Sequence, residues 1–357
     1  MRRFNIAYTL GCVALAALTL QSCNRSGGLD NLNVITKPYS LHFSDAKGLV
    51  YSTNDGQRFK IYPGTDGIGV QTLATTGNRI LMVKESGTKL FVSDGGQGVH
   101  PNFNPTYDSI NIDAFGPSLL INLPGYNDTV KAGKQDRVYL ASNIGVGMVY
   151  SDYNGNIDSP WFRVGDAALD SKVTSFARQA SGAVVAFDNA TRKIFIKSDL
   201  KTPWRKENAT GLPAATGSKM YIITQKNDIL AVPIGAGEIY HSANDGGSFS
   251  PLPPLPNSIT DITCAAAPFG KVLIACTKNN GIWRLSGQGK WESASVGLET
   301  GAEVYAISFK SNVFKNEKAG EYVFVGTNKG LYRSDDLGQT WIRLDVTSEN
   351  NTFTVVH

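Results

Sequence analysis

Charge is scarce in this 357-residue chain: Asp, Glu, Lys and Arg make up 18% of it, and the formal net charge is only +4. Part of that small excess comes from Arg2 and Arg3, so the strongly basic field on which nucleic-acid binders rely is missing. Cysteine and histidine number four each. The histidines are scattered and no second Cys pair flanks Cys264 and Cys276, which excludes the ligand spacings of a zinc site. Long helical periodicity is absent, and no apolar run reaches the roughly 20 residues a membrane-spanning helix needs. There is no phosphate loop, no His/Glu metal pattern and no Ser/His/Asp grouping. What is plentiful is glycine, 37 residues of it, between short alternating apolar runs, and this pattern points to many short strands joined by turns.

The clearest such pattern lies near the C-terminus. Tyr322 to Val325 alternates at strand period, Gly326-Thr-Asn-Lys-Gly330 is a turn cluster, and Leu331 to Arg333 resumes the alternation, which makes a hairpin. A second turn, Ser334-Asp-Asp-Leu-Gly338, leads into another strand at Thr340 to Leu344. The string Ser334-x-Asp336-x-Gly338-x-Thr340-Trp341 resembles, position for position, the Asp-box (BNR) turn of β-propellers such as sialidases, sortilin-like receptors, xyloglucan-degrading enzymes and photosystem II assembly factors. Further copies stand at Ser52, Asn54, Gly56 and Phe59, and at Ser242, Asn244, Gly246 and Phe249. The resemblance implies a folding device on the side away from the ligand face. The third residue would accept turn N–H bonds and the eighth would pack between sheets. Trp161, Trp204 and Trp291 are expected to fill that slot in degenerate copies.

Alignment on the serine that ends the third strand gives Ser52, Ser93, Ser151, Ser198, Ser242, Ser286 and Ser334, at steps of 41, 58, 47, 44, 44 and 48 residues. A period near 45 residues with four strands per unit predicts an all-β, seven-bladed β-propeller with Asp-box turns. The first unit lacks an innermost strand, and the tail Thr352 to His357 alternates without a unit of its own. The C-terminal strand is therefore expected to close the ring by pairing into the first blade. The long third step reads as an insertion over 105–135, whose aromatics and prolines suggest a surface element for partner contact.

Residues 1–22 are built like a secretory signal, with a basic start and an apolar run from Leu10 to Leu20. Leu20-Gln-Ser-Cys23 resembles a bacterial lipobox, which implies lipidation at Cys23, a tether over 23–37 and a propeller over 38–357. By the same analogy Asn24 implies the outer membrane, on its periplasmic or surface face. Cys264 and Cys276 flank a hairpin whose register can set them opposite each other. They are then either two reduced, packed thiols or a disulfide that would stabilise by about 3 kcal/mol.

In Asp-box propellers the ligand sits opposite the boxes, on the turns between second and third strands. Here those turns carry Lys47, Lys89, Asn143, Asp188, Arg192, Lys278, Asn280, Asn328 and Lys329. Such a ring of cations and amides suits an anionic or sugar-like ligand, although turns are polar by default. Sialidases would require an Arg-Ile-Pro stretch, three arginines on that face and a Tyr assisted by a Glu. The stretch is absent and arginines are few, so no catalytic residue is assigned; Asp108, Asp113, Asp166 and Asp170 are the inter-blade acids available. The sequence thus predicts a non-catalytic, membrane-anchored, monomeric propeller lipoprotein. It would bind an envelope protein or glycan, with no nucleic acid, metal or cofactor. The alternative is a glycan-acting hydrolase or lyase using loop carboxylates.

Overall fold

The computed structural model describes residues 40–53, 56, 58–62, 65, 70–76, 79–84, 90–93, 99–101, 120–127, 134–141, 148–151, 162–166, 168–169, 172–199, 201–214, 219–314, 317–346 and 352–356. Within them the chain is almost wholly β, with two short 3-10 turns at Pro256–Ser258 and Pro268–Gly270. The strands form seven four-stranded antiparallel sheets, each a meander of sequence neighbours, here numbered I to VII along the chain. Sheets IV to VII begin with the strands Ser175–Arg178, Met220–Gln225, Ile262–Ala266 and Val304–Phe314. Sheet II begins with Val70–Thr76 and sheet III with Leu120–Asn127.

Sheet I is the exception to simple sequence order. Its strands run Phe353–Val356, Leu41–Asp45, Val50–Thr53, Lys60–Ile61, with Phe43 opposite Val356 and Asp45 opposite Phe353. The pairing is sealed by aromatics: Phe353 meets Phe43 edge-on at 5.3 Å and Tyr51 at 6.1 Å.

Alternation of apolar residues along each strand sends side chains into the gaps between neighbouring sheets, so the core consists of separate inter-sheet clusters. One joins Ile194 and Phe187 of sheet IV to Ile222 and Phe249 of sheet V. Another joins Tyr221 and Leu230 of sheet V to Ile262 and Trp291 of sheet VI. A third joins Leu41 and Phe353 of sheet I to Phe324 and Leu331 of sheet VII.

The third unit departs from the sequence expectation. Leu120–Asn127, inside the stretch read as an insertion, is the first strand of sheet III and pairs with Lys134–Ala141. Its pairing shifts register between Leu123 and Tyr126, so Pro124 and Gly125 lie outside the regular ladder. That Pro-Gly pair disguised the strand as loop. The rest of that stretch, 105–119 and 128–133, lies outside the described residues.

Candidate functional site

In every sheet the turn between first and second strands and the turn between third and fourth share one end. The turn between second and third strands lies at the other, with the connection to the next sheet. The turns whose sequence resembles an Asp box belong to the first end. In sheet VII, Ser334 Oγ donates to Asp336 Oδ1 (2.7 Å) and accepts the Gly338 N–H (2.8 Å). Asp336 Oδ1 also takes the N–H groups of Gln339 and Thr340, both at 2.9 Å. Burial pushes the Asp336 carboxyl up, but these bonds and that from the Thr340 hydroxyl outweigh it and leave its pKa below the usual value. Sheet V repeats the arrangement: the Gly246 and Ser248 N–H groups reach Ser242 Oγ and Asn244 Oδ1, both at 2.9 Å.

The eighth residues lock sheets together. Trp341 is buried; its Nε1 donates to Ala294 O (2.7 Å) and its backbone N to Val296 O (2.8 Å) of sheet VI and its exit. Phe249 N donates likewise to Thr210 O, beyond sheet IV. Trp291 Nε1 reaches Pro253 O (2.7 Å), and Trp204 stands edge-on to Tyr139 at 5.5 Å. Both are buried, which makes them packing residues and leaves no exposed ring face for a ligand. The first box departs from the pattern, since Gly56 N bonds to Thr53 Oγ1 (2.9 Å) in place of Ser52. Phe59 packs on Phe43 at 5.6 Å, while Asn54 and Trp161 lie outside the described residues.

At the other end a feature appears that the sequence reading missed. In sheets I, IV, VI and VII the last residue of the second strand is a buried oxygen clamp on the turn that follows. Asp45 Oδ1 accepts the N–H groups of Lys47 (3.0 Å) and Leu49 (2.9 Å). Asp188 Oδ1 accepts that of Ala190 (2.7 Å), Thr277 Oγ1 that of Asn280 (3.0 Å), and Thr327 Oγ1 that of Lys329 (3.0 Å). A second tie comes from the residue just before each first strand. Thr352 O accepts Ala46 N (2.9 Å), Lys219 O accepts Ile234 N (2.8 Å), and Asp261 O accepts Lys278 N (3.0 Å). Glu303 exchanges two bonds with Asn328, receiving N–H at its carbonyl (3.2 Å) and donating its own to Asn328 Oδ1 (2.8 Å).

These ties sort the predicted ligand residues. Asp188 is buried and spent on its own turn, bonding Thr191 Oγ1 at 2.5 Å as well. Arg192 is buried at positive φ, its nitrogens on Pro213 O (3.1 Å), Asn189 Oδ1 (2.6 Å) and Ala214 O (3.4 Å). Its charge holds the chain leaving sheet IV, where a ligand donor was expected. Asp166 is likewise committed to Ala168 N (3.0 Å) and Trp204 N (2.8 Å). Lys47, Lys278 and Asn280 are exposed and Asn328 and Lys329 half-buried, on turns made rigid by the clamps. Two carboxylates share this rim: Asp261, which takes Asn280 Nδ2 (3.0 Å) and Asn279 N (2.7 Å), and Glu303, whose Oε2 accepts the Tyr305 hydroxyl (2.8 Å). Cys23, Lys89, Asn143, Asp108, Asp113 and Asp170 lie outside the described residues.

Cys264 and Cys276 face each other across sheet VI, both buried and both free thiols. Burial first, then the neighbouring Cys264, drives the Cys276 thiol well above its usual pKa. Among the described residues no group of three His, Cys, Asp or Glu side chains stands close enough to hold a metal ion. No helix among them is long and apolar enough to cross a membrane.

No family model matches this chain, and no curated protein matches it. Solved structures do. Virginiamycin B lyase from Staphylococcus aureus superposes at a TM-score of 0.54 with 15% identity, over 83% of this chain and 93% of the other. A putative 6-phosphogluconolactonase from Bacteroides uniformis gives 0.54 and 12%, over 90% and 99%. YCF48 bound to D1 peptide gives 0.52 and 13%, over 80% and 84%. These are β-propeller proteins, and at such identity they establish the fold of this chain: a β-propeller.

Proposed function

We propose that this chain is a non-catalytic, membrane-anchored lipoprotein whose seven blades close into one ring and bind an envelope protein or glycan at the mouth opposite the Asp boxes. The blade count is supported by the seven four-stranded sheets, and the closure by the C-terminal strand paired into sheet I. The anchor at Cys23 rests on the sequence pattern alone. The observation that carries the binding reading is the rim itself. Exposed Lys47, Lys278 and Asn280 stand on turns whose backbones are pinned by buried Asp45 and Thr277, so association need not order the backbone that presents them.

The hydrolase or lyase alternative needs an acid or nucleophile poised for proton transfer. The Tyr305–Glu303 pair is the nearest arrangement at the rim, and it is tuned the other way: burial, then the carboxylate, pushes the phenol's pKa up. A tyrosine that keeps its proton is a hydrogen-bonding group. Among the neighbours of this fold, one is named a lyase and another carries a bound peptide, so the fold serves both kinds of role.

The test is site-specific photocrosslinking of the full-length chain in its own envelope. A photoreactive residue at Lys278 is expected to capture a discrete protein or glycan adduct. The same residue at Lys201, exposed at the Asp-box end of sheet IV, is expected to capture none. Equal labelling at both sites, or none at Lys278, contradicts a mouth-directed binding role. Conversion of the mature N-terminus to a lipid-modified cysteine, lost in Cys23→Ala, is the expected result for the anchor.

A further inference from the structure

The first strands of the sheets, innermost in a propeller, are not alike. In sheets II, VI, VII and I the pairing between first and second strands slips by one residue near the rim. The extra residues are Gln71, between the pairs Val70↔Lys84 and Thr72↔Val83; Thr263, between Ile262↔Thr277 and Cys264↔Cys276; Tyr305, between Val304↔Thr327 and Ala306↔Gly326; and Thr354, between Phe353↔Asp45 and Val355↔Ser44. Sheets IV and V pair without interruption.

Each bulge resets the strand so that residues three apart share one inter-sheet cluster. Val70 pairs with Leu73, Ile262 with Ala265, Val304 with Ile307 and Phe353 with Val356. In unbulged sheet V the partners are two apart, Met220 and Ile222. Thr263, Tyr305 and Thr354 belong to none of the apolar clusters that flank them. Thr263 and Tyr305 are half-buried between buried neighbours, and Thr354 is half-buried next to buried Phe353. A bulge re-aims the side chain it carries, here on the innermost strand of each sheet. Thr263 donates its hydroxyl proton to Val304 O of sheet VII at 2.7 Å, which ties two sheets and leaves its oxygen as an acceptor only.

The four bulged sheets are neighbours. Sheet VII packs on VI through Val304, Val323 and Cys264, and on I through Phe324 and Phe353; sheet II meets I through Val70 and Val50. The hydroxyls of Thr263, Tyr305 and Thr354 therefore lie on one arc, away from sheets IV and V. Around that arc the charges alternate in sign, with Asp261 and Lys278 on sheet VI, Glu303 and Lys329 on sheet VII and Lys47 on sheet I. Among the described residues no single sign dominates to attract a strongly anionic or cationic ligand. Hydroxyls, amides and one aromatic ring are what a sugar requires: donors and acceptors for its own hydroxyls and a face for its C–H surface.

We propose that this arc, built on the bulged residues Thr263, Tyr305 and Thr354, is an off-centre seat for a neutral saccharide. It rests on the binding reading above and selects the glycan among its partners. The hydroxyl of Tyr305, bonded to Glu303, bridges the carboxylate to a sugar hydroxyl; Lys278, Asn280 and Lys329 contribute donors from the rim.

The test uses the full chain on immobilised neutral hexose and N-acetylhexosamine oligosaccharides, with sialylated and sulfated glycans alongside. Retention is expected on at least one neutral glycan. A loss of tenfold or more is expected in Tyr305→Ala and Thr354→Val, and no change in Lys201→Ala. Tyr305→Phe keeps the packing, so it reads the hydroxyl even where Tyr305→Ala fails to fold; a several-fold loss is expected. Binding to charged glycans alone, to none, or unaltered in Tyr305→Phe and Thr354→Val overturns the seat. A protein adduct at Lys278 without glycan retention overturns the seat while sparing the binding function. Shortened glycan products would instead overturn the non-catalytic reading and spare the seat.

Discussion

His42 sits in the second-to-first-strand region of sheet I with its Nδ1 buried and without a hydrogen-bond partner among the described residues. Burial, and then the charge of Lys310, lowers its pKa from 6.5 to about 4. The folded state therefore holds the ring neutral while the unfolded state takes a proton below pH 6.5. Stability is fully present above that pH and is lost as pH falls from 6.5 through 4, by up to about 3 kcal/mol. The urea midpoint should drop across this window, and His42→Leu should flatten the drop; a drop unchanged in that variant would place the acid sensitivity elsewhere. Asp336 is held the same way, since its pKa is lowered by the turn it caps, so its contribution is also lost on acidification through the folded pKa. Asp336→Ala should cost about 0.5–2 kcal/mol, as loss of a side-chain cap does, by removing the bonds to the Gln339 and Thr340 N–H groups. The boxes at Ser242 and Ser334 were legible because their bonds close within five residues of sequence. The commitment of Arg192 was not, because its partners Pro213 and Ala214 lie 21 and 22 positions away.

Between sheets, the box is an element that works at both its ends. Gly338 has φ +80°, and a Cβ there would stand 2.6 Å from Ile274 Cδ1 of sheet VI; in Gly246 it would stand 2.8 Å from Ile194 Cγ1 of sheet IV. Gly338→Ala should therefore destabilise by about 1–3 kcal/mol, more than the same change at an open turn. Trp341→Phe removes the bond to Ala294 O and leaves a cavity where the larger ring packed, and a loss of about 1–3 kcal/mol measured by urea unfolding is expected. The bulges show the limit of pattern reading. A strand read at period two hides an apolar spacing of three, as at Val304 and Ile307, and the polar residue between them then looks like ordinary alternation. The first strand of sheet III escaped for a related reason, as Pro124 and Gly125 argue for a loop wherever a bulge is not considered.

For the molecule as a whole, the β-propeller fold was visible in the repeat spacing, because each unit buries its faces only against neighbours. Lys47, Lys278 and Lys329 lie on turns between second and third strands, as the repeat alignment placed them, while the carboxylates Asp261 and Glu303 at the same end carry no motif. The arc over sheets VI, VII, I and II depends on the C-terminal strand, since Thr354 belongs to it and Phe353 fills the gap between sheets I and VII. Loss of Phe353 alone would remove about 3–5 kcal/mol, a large share of the 5–15 kcal/mol that typically holds a domain together. The most direct test is urea unfolding of the chain ended at residue 351 against the full chain. A shared closing blade predicts a much lower midpoint for the whole protein, or no cooperative transition at all. An unchanged midpoint, with loss of structure confined to sheet I, would contradict a ring closed by both termini.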